Sequence, residues 1–179
     1  MNNIVLFEPE IPQNCGNVMR TCIATNTNLH LIRPLGFSLS DKQLNRSSVN
    51  YTRDFSFNVY DSFDEFLSKN PDGIYIFLTR YGLHRPDELD YSDRSKNYYF
   101  ILGKESTGIP LSILKNHLDT CVRFPMSDKV RALNVSNTSC AIIYEALRQQ
   151  GYPGLSLFEP ETLKGKNHIV DSTSKKVDN

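Results

Sequence analysis

Net charge is the first thing the chain lacks: its 179 residues carry 20 lysines and arginines against 20 aspartates and glutamates. That balance argues against a protein that coats nucleic acid through a global positive field. No run comes near the roughly 18 apolar residues that a membrane-spanning helix requires. The opening MNNIVLFEPE has neither the basic leader nor the apolar core of a secretory signal. A cytoplasmic location is the expectation. The four cysteines, Cys15, Cys22, Cys121 and Cys140, form no CxxC pair and have no histidine at ligand spacing, so neither a disulfide framework nor a metal site is indicated. G-x-G-x-x-G after a strand is absent too, which leaves a Rossmann-type dinucleotide site unsupported. The stretch GKESTGIP, Gly103 to Pro110, has two glycines five apart, but Ile109-Pro110 stands where a phosphate loop needs Lys-Ser or Lys-Thr. A nucleoside triphosphatase is excluded on that ground.

What is present is enough apolar residue, 39% of the chain, to bury one ordinary core. Short apolar strands alternate with helical patterns. Ile4–Phe7, Leu29–Ile32, Phe57–Tyr60, Ile74–Leu78, Tyr98–Leu102 and the stretch ending at Cys121-Val122 read as buried strands, and the class implied is α/β with a mostly parallel sheet. Asn14 is expected to cap a helix starting near Gly16, Asp61 to cap a helix ending before Pro71, and a short basic helix is expected over Lys42–Arg46. After Tyr152-Pro153-Gly154 the sequence turns polar and loses periodicity, so residues 1–154 read as one domain and 155–179 as a flexible tail.

Two stretches carry candidate chemistry. On the first helix, Val18, Met19, Cys22 and Ile23 form the inner face, while Asn17, Arg20, Ala24 and Thr27 fall on the other, so an amide and a guanidinium project together. From Val122 onward a strand ends at Pro125, a polar loop runs from Ser127 to Arg131, and a long helix opens on Asn134 or Ser136. Its apolar stripe, Val135, Ile142, Ile143, Ala146 and Leu147, must face a core, and Asn137, Tyr144 and Arg148 lie opposite. Polar groups at a strand-to-helix turn suit a ligand site at the carboxyl edge of a parallel sheet. Charge is also unevenly placed. Arg20 to Arg53 holds five bases and one acid, a balance of +4, and Asp61 to Asp93 holds eight acids and three bases, a balance of −5. Such asymmetry suggests a phosphate-facing side, with Arg33, Arg46 and Arg53, together with Asn17, as the candidate contacts.

Three stretches taken together, PEIPQNCGNVMRTC (Pro9 to Cys22), FILGKESTGIP (Phe100 to Pro110) and RFPMSDKVRALNVSNTSCAIIYEALRQ (Arg123 to Gln149), resemble the three motifs of the SPOUT class of RNA methyltransferases, in its SpoU branch. The likeness runs from Asn3 to about Gly154. It is strongest to the small single-domain tRNA enzymes that methylate the wobble-nucleotide ribose. The resemblance implies a SPOUT fold with a C-terminal trefoil knot, a homodimer, S-adenosylmethionine as cofactor, and the anticodon stem-loop of tRNA as partner. Carried over by position, it implies cofactor contacts at Leu78, Gly103, Phe124, Ala132 and Leu133 with Tyr144 close by, and a role for Gly103 in leaving the cofactor space. It implies Arg20 as the catalytic arginine, Asn14 as the group orienting the hydroxyl or that arginine, and Glu105 and Asn134 as residues fixing the loops. Arginine is a poor general base, so a grip on the adjacent phosphate is the favoured role for Arg20. Two departures from the pattern, Ala132 for a common serine and Lys104 for a common proline, bear on substrate detail. Ribosomal RNA is the same-chemistry alternative, and a catalytically silent RNA-binding or assembly factor, motivated by Ala132, the alternative from another class.

Overall fold

A computed structural model describes residues 1–39 and 55–174; the expected helix over Lys42–Arg46 lies outside them. Six strands, β1 (Asn2–Phe7), β2 (Asn28–Ile32), β3 (Asn58–Tyr60), β4 (Gly73–Leu78), β5 (Asn97–Leu102) and β6 (Cys121–Val122), form one sheet in the order β3-β2-β1-β5-β4-β6. Every pairing is parallel, with Ile4 opposite both Leu29 and Phe100, and Leu78 opposite both Leu102 and Val122. The helices are α1 (Pro12–Ala24), α2 (Phe63–Lys69), α3 (Leu111–Leu114), α4 (Val135–Gln150) and α5 (His168–Ser174).

Both sheet faces are covered, which is why the strands read as unbroken apolar runs. Successive side chains alternate between two cores. Ile4, Leu6, Leu29, Leu31 and Phe100 pack with Val18, Met19 and Cys22 of α1 and Ile142, Ile143, Ala146 and Leu147 of α4. On the other face Val5, Phe7, Ile101 and Phe77 pack with Phe66 of α2 and with Tyr60 and Tyr99. Burial pushes the Cys15 thiol up to about 12 and raises Cys22 and Cys121 as well, so these cysteines are core residues with no thiolate chemistry.

Several expectations are corrected. The first helix starts at Pro12, four residues before Gly16; its N-cap residue Ile11 makes no side-chain cap, and proline is accommodated at the first position because its missing N–H would be unsatisfied there anyway. Asn14 lies inside that helix. Thr27 is buried beyond its end, where its hydroxyl bonds Thr25. Ser62, not Asp61, caps α2 by accepting from the Glu65 N–H at 3.1 Å. Of the two expected starts of α4, Asn134 is the one that caps it, accepting from the N–H groups of Ser136 and Asn137. The C-terminal segment contains a short helix, α5, on which Ile169 and Val170 are exposed.

The α2-side core contains a buried polar chain with a measurable signature. Asn3 donates to the Tyr98 carbonyl, so its Oδ1 is the acceptor facing His30 Nε2 at 3.2 Å, while His30 Nδ1 accepts from the Tyr60 hydroxyl at 2.9 Å. Burial lowers the His30 pKa from 6.5 to about 4. As pH falls below 6.5 the unfolded chain therefore takes up this proton first, and stability is lost progressively until about pH 4. Between pH 7 and pH 5 the expected loss is about 2 kcal/mol. Urea titrations at both pH values check it; equal midpoints would mean that His30 is charged in the fold.

Candidate active site

Three loops leave the carboxyl edge of the sheet side by side, one after each of β4, β5 and β6, and enclose a cleft of about 240 Å³. Leu78, Leu102 and Val122, the last residues of the three strands, lie at its floor with Ile109, and Phe124, Leu133 and Val135 continue the apolar wall. The cleft thus lies outside the carboxyl ends of the adjacent strands β5, β4 and β6, the edge of an open α/β sheet at which ligands bind.

The loop after β5 folds back on itself. Gly108 donates its N–H to the Lys104 carbonyl at 2.8 Å and has φ of +75°, a conformation suited to glycine. A Cβ on Gly103 would stand 2.3 Å from both the Gly108 carbonyl carbon and the Ile109 nitrogen. Gly103 lines the cleft, but the constraint on it is the loop's own backbone, which corrects the expectation that it leaves room for a ligand. Outside contacts then fix the loop. Lys104 pairs with Glu8 at 2.6 Å, and Ser106 donates through its N–H and hydroxyl to Glu10 at 2.8 Å each, which holds the Glu10 carboxyl below its usual range.

At the centre is a brace that joins all three motif stretches. Glu105 accepts from the Glu10 N–H at 2.9 Å and from Asn14 Nδ2 at 2.8 Å; Asn14 Oδ1 in turn accepts from Asn134 Nδ2 at 2.9 Å. Asn134 Oδ1 takes the Ser136 hydroxyl and N–H. Asn14 is buried and both ends of its amide are engaged, so this side chain holds loops together where a role in orienting a hydroxyl was expected. The three polar residues thus act as one positioning unit.

The remaining candidates fall in different places. Leu78, Gly103, Phe124, Ala132 and Leu133 all line the cleft. Tyr144 does not; it stands beside Phe124 in a shallower groove on the outer flank of α4, with Glu145, Arg148 and Tyr152. Asn17 and Arg20 are exposed on α1, and among the described residues the Arg20 guanidinium has no partner. Arg20 follows Asn14 by six residues, about 9 Å along the helix and on another flank, and it is not a cleft residue. Arg33 is paired with Asp61 at 2.5 Å, both well exposed, and Arg46 and Arg53 lie outside the described residues. Thr79, Tyr81, Arg123 and Met126, which the sequence did not single out, also line the cleft, as do Arg80 and Arg131. The signal that points to most of them is position immediately beyond a strand's carboxyl end.

Fold and cleft together define the class, an α/β domain of the SPOUT RNA-methyltransferase type. A crystal structure from Bacillus anthracis described as an RNA methyltransferase superposes with a TM-score of 0.83 at 52% identity, covering 88% of this chain and 99% of that one. A structure solved for 2'-OH methylation of C/U34 on tRNA superposes at 0.78 with 36% identity, covering 84% and 97%. A profile of the SpoU rRNA methylase family matches residues 1–144, and a Listeria innocua protein provisionally named a tRNA (cytidine(34)-2'-O)-methyltransferase is 50% identical over 89% of this chain and 94% of its own. The chain belongs to the SpoU methylase family.

Proposed function

We propose that the protein is an S-adenosylmethionine-dependent methyltransferase that modifies the ribose 2'-hydroxyl of the wobble nucleotide of tRNA. The observation that carries this reading is the cleft at the carboxyl edge, built by three loops that one hydrogen-bonded brace holds in register. Relatives at 50% identity carry the corresponding name. The cleft fits the cofactor by its own chemistry. Apolar side chains from Leu78, Val122 and Leu133 suit a purine face, and the loop that carries Gly103 and Gly108 brings backbone close to the ligand.

When bound, S-adenosylmethionine supplies a methyl group made electrophilic by a cationic sulfur. The chain's own contribution is alignment of a ribose oxygen with that group and removal of the hydroxyl proton, with most of the rate coming from positioning and electrostatics. Glu105, Asn14 and Asn134 keep the three loops in place. Arg20 grips the neighbouring phosphate, so that a phosphate oxygen can help take the proton. Because Arg20 stands apart from the cleft of its own chain, this reading takes it from a second copy, in a homodimer whose two sites each combine one cleft with the partner's Arg20. The knotted C-terminal segment belongs to the same reading, supported by the likeness to the SpoU family.

Incubation with methyl-labelled cofactor and total RNA, tRNA and ribosomal RNA together, followed by mapping of the modified nucleotide, tests the proposal; label confined to ribosomal RNA would overturn it. Mixing Arg20→Ala with a cleft-defective variant tests the shared site, since only mixed dimers would regain activity. Removal of residues 163–179 is expected to leave the melting temperature and methyl transfer nearly unchanged, because Leu163, Ile169 and Val170 are exposed and join neither core. Loss of activity on truncation would show that the segment serves the site.

A further inference from the structure

The outer lip of the cleft, built by the loops after β4 and β6, combines an exposed aromatic ring with arginines that have no acidic partner among the described residues. The two loops are laced together. Thr79 donates its N–H to the Val122 carbonyl at 3.0 Å, Leu83 to the Cys121 carbonyl at 3.1 Å, and Arg123 to the His84 carbonyl at 2.8 Å. Gly82 presses so closely on this seam that a Cβ would stand 2.3 Å from the Val122 carbonyl carbon. The Thr79–His84 turn is therefore a fixed support.

This fixed turn holds a phenol ring out toward solvent. Tyr81 is 56% exposed, and the Arg80 guanidinium lies over its ring at 4.6 Å from the centroid while also donating to the Tyr81 hydroxyl. An apolar ring kept out of both cores by a laced turn has no packing purpose in the fold. Arg123 and Arg131 line the same cleft from the opposite loop, and among the described residues neither makes an ion pair with an acid. Basic groups interleaved with an exposed aromatic on a rigid support make a surface for single-stranded nucleic acid, because a base can stack on the ring while phosphates meet the guanidinium groups.

We infer that the Arg80–Tyr81 pair is a stacking platform for an unpaired base of the substrate RNA, flanked by phosphate contacts from Arg123 and Arg131. This rests on the proposed activity and deepens it: the lip would select a looped strand over a duplex, whose stacked bases cannot reach the ring. The occupant is a nucleotide next to the one whose ribose enters the cleft.

The test uses the full-length protein, an anticodon stem-loop RNA carrying 2-aminopurine beside the wobble nucleotide, and S-adenosylmethionine measured separately by calorimetry. Tyr81→Ala is expected to weaken RNA binding about tenfold and to abolish the fluorescence change on binding, with any loss of cofactor affinity much smaller than the loss of RNA affinity. Tyr81→Phe, which keeps the ring, is expected to restore both. Arg131→Ala is expected to make the salt dependence of RNA binding shallower by about 0.7 of an ion. Unchanged RNA affinity in Tyr81→Ala would overturn the inference, as would cofactor binding that weakens in parallel, since that would place the ring against the cofactor. Wild-type protein that neither binds nor methylates tRNA would instead overturn the activity on which the inference stands.

Discussion

Arg20→Ala is expected to reduce methyl transfer by about a hundredfold to a thousandfold while leaving S-adenosylmethionine affinity unchanged. The two effects separate because Arg20 stands on the exposed flank of α1 and is not among the residues that line the cleft or form the brace. If the guanidinium grips phosphate, tRNA binding weakens as well, and its dependence on salt becomes shallower by about one ion. Lysine is the informative second substitution. It keeps the charge and loses the planar fork, so partial recovery would indicate a point-charge contact and none a bidentate one. Single-turnover assays at saturating tRNA, alongside calorimetry with the cofactor, read both quantities. Wild-type turnover in Arg20→Ala would refute the role.

Gly103→Ala is the second large effect. The added methyl meets backbone atoms of Gly108 and Ile109, which cannot rotate aside as a side chain would, so the loop after β5 must open. Overpacking of this kind costs about 1–3 kcal/mol, and displacement of a loop that lines the cleft turns that into a loss of cofactor affinity of about fivefold to a hundredfold. Gly108→Ala is the comparison. Its Cβ would meet nothing within 4 Å, so only the strain of a φ of +75° remains, about 1–2 kcal/mol. Calorimetry on both variants decides: cofactor affinity retained in Gly103→Ala would mean that this loop does not shape the cofactor site.

The strands were legible because both faces of the sheet are covered, so each appeared as a short apolar run with turn residues at its ends. The stripe of α4 and its cap at Asn134 were legible for the same local reason. The start of α1 was not. Proline and glycine in PEIPQNCGN suggested irregular backbone, and Asn14 looked like a cap because nothing near it in sequence shows the carboxylate it meets, Glu105, 91 residues away. The resemblance pointed to Asn14, Glu105 and Asn134 one by one, while the brace that they form needed the fold. The grouping of Arg80, Tyr81, Arg123 and Arg131 on one cleft escaped notice because they share no spacing pattern. Two loops bring them together through backbone hydrogen bonds that any residue can make.

The strand order carries a consequence for synthesis. β1 emerges first yet lies in the interior of the sheet, paired on one side with β2 and on the other with β5, which ends at Leu102. Until the ribosome has released that later strand, the β5-facing side of β1 is an open hydrogen-bonding edge of apolar residues, the template on which other chains pair. Nascent chains halted between Ile32 and Asn97 should therefore be the ones that aggregate or recruit chaperones, and completion of β5 should be the point at which they cease to do so.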